Sequence, residues 1–170
     1  CTIEPRQGNQ EPRYARLASG SIQSMGLPNL GYKEYIKFAL KLKKYKKPVI
    51  ASISGLSLKD YVEMVSAFQK SEADLIEVNL SCPNIEGKPQ VAYDFEQTEK
   101  VLKAIISLGD KPLGLKLPPY FDFSHQEKMA ELINKYKIDF ITCINSVGNT
   151  LVIDPKAESP VIKPKNGFGG

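Results

Sequence analysis

Asn79-Leu80-Ser81-Cys82-Pro83-Asn84 sets a thiol, two amides and a hydroxyl in one short run that begins at the end of an apolar stretch. A thiol just past a strand end can stand over a pocket and act as a general base or nucleophile. The same cysteine can equally be a buried, inert packing residue. Lys116 interrupts the apolar run Leu113-Gly114-Leu115-Lys116-Leu117. An ammonium in such a strand needs an anionic partner if the sheet is covered, because an unpaired buried charge is costly, and stays in solvent if the strand is an edge. Asn145 and Ser146 again follow an apolar run. A carboxamide offers a donor and an acceptor in one planar unit, which suits a planar, amide-rich ligand, although asparagine and serine also serve as loop caps. His125 is the only histidine and falls in the first turn of a helix, which excludes a histidine-based triad and a multi-histidine metal site. Cys143, inside Phe140-Ile141-Thr142-Cys143-Ile144, reads as a buried, inert cysteine.

The elements that must position these groups alternate. Residues 1–31 are rich in Pro, Gly, Arg and Ser without a sustained period and read as loop. Tyr32, Tyr35, Ile36, Ala39 and Leu40 share a helix face that ends near Tyr45, and residues 48–53 read as a buried strand. Ser57 caps a helix with Leu58, Tyr61, Val62, Val65 and Phe68 on one face, followed by a strand over 75–80. Beyond a long loop, Asp94 and Gln97 start a helix that buries Thr98, Val101, Leu102 and Ile105. A strand over 113–117 stops at Pro118-Pro119. Ser124-His125-Gln126-Glu127 matches a capping box ahead of Met129, Leu132, Ile133 and Tyr136, and a strand follows over 140–144. Residues 150–163 read as a hairpin with Asp154-Pro155 in its turn.

Apolar strands separated by amphipathic helices imply a parallel sheet covered by helices. A doubly wound sheet would be favoured by G-x-G-x-x-G after an early strand, which is absent. A (β/α)₈ TIM barrel is favoured by the position of the polar residues at or just past the C-terminal strand ends. Composition agrees with a folded globular protein. Of 170 residues, 42% are apolar and 25% charged, and the net charge of +4 is too mild to argue for nucleic acid. No apolar run approaches the length of a membrane span, and no signal-peptide pattern is present. Three cysteines without framework spacing suggest a reducing compartment. The run Lys41, Lys43, Lys44, Lys46 and Lys47 reads as a solvated helix end, and Gly167, Gly169 and Gly170 are weak grounds for a phosphate loop. The chain opens at Cys1 and stops in a glycine run, so it reads as an internal segment. A full barrel needs about 250 residues.

Together the motifs are more specific than singly. Asn79-Leu80-Ser81-Cys82-Pro83-Asn84 followed by Gly87-Lys88-Pro89-Gln90-Val91-Ala92-Tyr93-Asp94 resembles the active-site loop of dihydroorotate dehydrogenases, in its long class 1A form. The resemblance runs along the whole chain. It takes in Arg6-Gln7-Gly8-Asn9, Ser24-Met25-Gly26-Leu27-Pro28-Asn29, residues 52–57, residues 115–122, Asn145-Ser146-Val147-Gly148-Asn149 and residues 162–170. It implies an FMN-dependent TIM barrel that oxidises dihydroorotate to orotate in pyrimidine biosynthesis, with fumarate as electron acceptor, as a cytosolic homodimer without membrane or nucleic-acid partners. Residues 1–170 would be the central portion of a single FMN-binding barrel domain. By the same carry-over Cys82 is the general base, taking a proton from substrate carbon C5 while hydride leaves C6. Asn79 lies between flavin and substrate. Asn84, Asn145 and Ser146 bind the pyrimidine ring and its carboxylate edge, and the backbone of Ser24, Met25, Gly26 and Leu27 closes the carboxylate side. Lys116 stabilises negative charge on the flavin, and Ile144 offers it a backbone contact. No metal is implied.

Two departures stand out. The family has asparagine before Ser24-Met25-Gly26-Leu27-Pro28-Asn29, where this chain has Gln23, another expected substrate contact. The extra methylene leaves room for a related flavoenzyme acting on another dihydropyrimidine. The family's lysine-serine pair and its flavin phosphate loops fall outside residues 1–170, which leaves room for a non-catalytic segment unable to hold FMN.

Overall fold

Apolar residues recur at alternate positions in short β-branched runs and at three- and four-residue spacing between them, and the chain folds accordingly. The computed structural model describes residues 1–81, 90–165 and 167–169. The main layer is a parallel sheet of β3 (Ile50–Ile53), β4 (Leu75–Asn79), β5 (Leu113–Lys116) and β6 (Phe140–Thr142), in that spatial order. The order is sequential. No reversal of strand order, the mark of a doubly wound sheet, occurs among the described residues. Between the strands lie α2 (Leu58–Gln69), α3 (Phe95–Ile105) and α4 (Phe123–Ile133), and α1 (Tyr32–Leu42) precedes β3.

Register explains which side chains become core. Ile53 pairs with Val78, and Val78 with Leu115, so these residues project to one side of the sheet. There they join Tyr61, Met64, Val65 and Phe68 of α2, Val101, Leu102 and Ile105 of α3, and Met129, Leu132 and Ile133 of α4 in one buried cluster. The opposite side carries Ser52, Glu77, Asn79, Gly114, Lys116 and Thr142 in matching register. Period-two alternation in a parallel strand thus separates a packed face from a polar one.

Close packing links this core to the polar face. A Cβ at Gly55 would stand 2.6 Å from the Tyr61 ring, and Tyr61 is 2% exposed. The Tyr61 hydroxyl donates to the backbone carbonyl of Asn79 at 3.2 Å. Gly55→Ala is therefore expected to cost about 1–3 kcal/mol through overpacking. Urea unfolding monitored by tyrosine fluorescence reads this cost, and an unshifted midpoint would show that Tyr61 can move aside.

Three local expectations are corrected. Residues 1–31 are not all loop: β1 (Tyr14–Leu17) and β2 (Gly20–Gln23) form a tight hairpin. It is completed by β10 (Gly167–Gly169), far along the chain, which pairs with β2 and with β7 (Val147–Thr150). The cap of α4 is Asp122 rather than Ser124; its carboxylate accepts from His125 N–H at 2.9 Å. Cys143 is exposed, because β6 ends at Thr142 and lies at the sheet edge. The hairpin expected over 150–163 is present as β8 (Ile153–Asp154) paired with β9 (Ser159–Pro160).

The Asp122 cap carries a pH signature. The His125 backbone N–H, and next the hydrogen bond to the His125 ring, hold the Asp122 carboxyl below its ordinary value of 3.8. A depressed carboxyl stabilises the fold fully above its unfolded pKa and ceases to do so as pH falls through the folded value. Thermal melts of Asp122→Ala against the parent should therefore differ at pH 5–6 and converge below about pH 3. A difference that persists at low pH would overturn the cap assignment.

Candidate functional site

The polar groups gather at the C-terminal ends of the parallel strands. Asn79 closes β4 and sits in register beside Lys116, the last residue of β5, which in turn pairs with Thr142, the last of β6. The chain then turns back, and Asn145 N–H donates to the Leu117 carbonyl at 2.9 Å, so Asn145 and Ser146 return toward the end of β5.

Hydrogen bonds join the candidates into one network. Ser81, 1% exposed, is held from both sides. Its N–H and its hydroxyl donate to Asn79 Oδ1 at 3.0 and 2.9 Å. The Asn145 amide donates to the Ser81 carbonyl and hydroxyl oxygen at 3.0 and 2.9 Å. Asn145 Oδ1 accepts from Ser146 N–H at 2.9 Å. Gln23, at the end of the β1–β2 hairpin, donates through Nε2 to Ser146 Oγ at 3.2 Å, while its Oε1 accepts from Met25 N–H at 2.9 Å. A side chain from the first thirty residues thus meets the segment after β6 because β2 pairs with β10 and β10 with β7.

The Ser24–Leu27 segment is fixed by Asn9. Its Nδ2 donates to the Ser24 carbonyl and hydroxyl, both at 3.0 Å, and its N–H to the Met25 carbonyl at 2.9 Å. Gly26 is required here: its φ is +72°, and a Cβ would lie 2.5 Å from Asn9 Oδ1. Leu27, at φ +54°, shares the left-handed conformation. The expected site residues Gln23, Ser24, Met25, Asn79, Asn145 and Ser146 are thus brought together, with Gly26 and Leu27 continuing the segment. Ile144 lies just before Asn145 with its side chain 49% exposed. Cys82 and Asn84 fall outside the described residues.

Glu77 was missed by sequence reasoning. Ser52 Oγ and Thr142 Oγ1 each donate to one of its carboxylate oxygens at 2.6 Å, which ties β3 and β6 to β4. Glu77 is opposite Gly114, so no β5 side chain stands between the carboxylate and Thr142. The signal was available: in Leu75-Ile76-Glu77-Val78-Asn79, alternation puts Glu77 on the face of Asn79, by the same logic that singled out Lys116.

The groups left over define what the site can hold. Among the described residues, no carboxylate lies within ion-pair distance of the Lys116 ammonium, and the Asn79 Nδ2 has no hydrogen-bond partner. A cation beside an amide donor at adjacent strand ends fits a planar group that carries carbonyl oxygens and takes on negative charge, as the isoalloxazine of FMN does.

Comparison with known proteins gives this arrangement its relatives. The family profile described as dihydroorotate dehydrogenase matches residues 1–170. Dihydroorotate dehydrogenase A (fumarate) of Lactococcus lactis subsp. cremoris is 51% identical over 173 residues, covering 99% of this chain and 56% of that protein. Dihydroorotate dehydrogenase (fumarate) of Trypanosoma cruzi is 52% identical over 175 residues, covering 100% of this chain and 56% of that protein. The chain therefore spans about half the length of the curated relatives it matches. A crystal structure of ligand-free dihydroorotate dehydrogenase from Eimeria tenella superposes with a TM-score of 0.73 at 19% identity, covering 96% of this chain and 56% of that one. That likeness concerns the fold, and it identifies β3–β6 with their helices as part of a (β/α)₈ barrel. With strand-end amides, a strand-end lysine and a family match from the first residue to the last, the chain belongs to the dihydroorotate dehydrogenase family.

Proposed function

We propose that residues 1–170 are the central portion of a single FMN-binding barrel domain. In this reading the domain oxidises dihydroorotate to orotate for pyrimidine biosynthesis, with fumarate as the electron acceptor. The observation that carries the reading is the convergence of Asn79, Lys116, Asn145 and Ser146 on the C-terminal ends of adjacent parallel strands, where barrel enzymes place their chemistry. Identity of about half to proteins named for the fumarate-linked reaction supports it. The class 1A resemblance also implies a cytoplasmic homodimer.

Bound FMN supplies the hydride acceptor. The residues of this chain do the rest. Lys116 and the Asn79 amide hold the flavin ring, the ammonium opposing the negative charge that the ring gains, and the Ile144 backbone contacts it. Cys82 removes the proton from substrate carbon C5, for which a thiol held as thiolate, or coupled to a proton path, is required. Asn84, Asn145 and Ser146 orient the pyrimidine ring. Gln23 and the backbone over Ser24, Met25, Gly26 and Leu27 close its carboxylate side. The network keeps Gln23, Ser146, Asn145 and Asn79 fixed before substrate arrives, so these four need little reorganisation at reaction.

Anaerobic titration tests the proposal. The protein is expected to purify yellow, to bleach with dihydroorotate and to recover its colour with fumarate. A colourless protein that takes up no added FMN would refute catalysis. Bleaching by dihydrouracil but not by dihydroorotate would move the assignment to another dihydropyrimidine.

A further inference from the structure

Positive charge is concentrated in one short stretch. Five of the seven residues 41–47 are lysines, Lys41, Lys43, Lys44, Lys46 and Lys47, in a chain whose whole net charge is +4. They occupy the last turn of α1, a 3₁₀ turn over Lys43–Tyr45, and the two residues after it that lead toward β3. This is the N-terminal end of β3, opposite the strand ends that gather Asn79, Lys116 and Asn145. The Asp74 carboxylate compensates Lys43. Among the described residues no carboxylate lies within ion-pair distance of Lys41, Lys44, Lys46 or Lys47. Complementing the α1 dipole accounts for the lysines of the last turn, but Lys46 and Lys47 lie beyond its reach. Nor does the backbone ask for a lysine at 46, where φ is +52° and glycine or asparagine is the easier residue. Apolar groups stand among the charges. Leu42 and Tyr45 are exposed, Tyr45 by 60%, and with Lys47 they line one shallow cleft. Lys44 Nζ lies 4.9 Å from the Tyr45 ring centroid.

We propose that residues 41–47 form a peripheral docking surface for an anionic lipid bilayer, the lysines meeting headgroup charge while Leu42 and Tyr45 enter the interface. Lysine suits this partner. It is a point charge on a flexible stem, without the rigid fork that matches one carboxylate or phosphate, and the run contains no arginine. A row of such charges fits a diffuse negative plane, and tyrosine beside them places an amphipathic ring at the headgroup level. Single-stranded nucleic acid is the poorer match, because Lys44 occupies one face of Tyr45, the one aromatic ring in the run on which a base would stack. Contact of this kind needs no span, and no described helix is long and apolar enough to cross a membrane. The inference departs from the expectation, drawn from resemblance alone, that no membrane takes part. It does not depend on the functional reading above, and docking by this end leaves the proposed catalytic mouth uncovered.

Vesicle co-sedimentation tests it. The protein is expected to sediment with phosphatidylcholine vesicles that contain about one-third phosphatidylserine and to ignore phosphatidylcholine alone. It should be released in about 1 M salt, where the Debye length falls to about 3 Å. Lys46→Gln with Lys47→Gln, two exposed lysines without ion-pair partners, is expected to lower the partition coefficient about thirtyfold. Lys100→Gln with Lys128→Gln removes the same charge from exposed positions on α3 and α4, and should lower it by less than about threefold. Equal losses from the two pairs would overturn the proposal, since net charge alone would then be acting. Failure to bind the anionic vesicles, or equal binding to neutral ones, would overturn it as well. Capture of a single-stranded RNA oligonucleotide at the same salt by a protein that ignores the vesicles would reassign the surface to nucleic acid.

Discussion

Replacing Cys82, the proposed general base, by alanine is expected to leave FMN bound and to slow flavin reduction by dihydroorotate about 10²–10⁴-fold, the range that a positioned general base contributes. Alanine removes the group proposed to take the C5 proton but no group proposed to hold the flavin, so the loss is expected in the reductive half-reaction. Stopped-flow absorbance under anaerobic conditions separates that step from reoxidation by fumarate. Cys82→Ser should retain part of the rate, with its pH dependence moved upward, because a hydroxyl is a weaker acid than a thiol. Reduction at the parental rate in Cys82→Ala would remove the base assignment.

Lys116→Met is the second large effect. Methionine preserves most of the length and apolar stem of lysine and deletes only the charge. Lys116 has no acidic partner among the described residues, so the substitution strands no carboxylate and should fold normally. Removing a preorganised charge from the place where negative charge develops typically costs about 10²–10³ in rate. The flavin of the variant should also be harder to reduce, which an equilibrium titration against a reference dye measures directly. A variant with unchanged potential and rate would assign Lys116 to solvent, the alternative that its sequence position leaves open.

Local patterns carried most of the fold into view. The buried face of α3, Thr98, Val101, Leu102 and Ile105, matches expectation residue for residue, because three- and four-residue spacing of apolar groups has one solution on a helix. The same logic slipped on α2, where Leu58, the first residue of the helix, is 46% exposed and Met64 is fully buried. Asp122 displaced Ser124 as the α4 cap, although both residue types satisfy the local rule. The β1–β2 hairpin was illegible because only Ile22 among its strand residues is buried and its pairing with β10 is contributed from far along the chain.

The site shows the same division. Asn79, Lys116, Asn145 and Ser146 were visible as polar residues at strand ends. Gln23 meeting Ser146 was not, since the contact spans 123 positions and depends on the antiparallel sheet. Glu77 was legible but overlooked inside an apolar strand. Cys143 misled because an apolar run suggests burial only where the strand is covered on both sides, and β6 is an edge among the described residues.

The alternation along β4 divides the effects of substitution. Ile76 and Val78 answer only to the helices, while Glu77 and Asn79 answer only to the opposite face. Neighbouring positions in this strand therefore meet different physical demands, one set by packing and the next by the polar face. A change at 76 or 78 is felt first in the packed layer, whereas a change at 77 or 79 is felt first in the hydrogen bonds that cross the polar face.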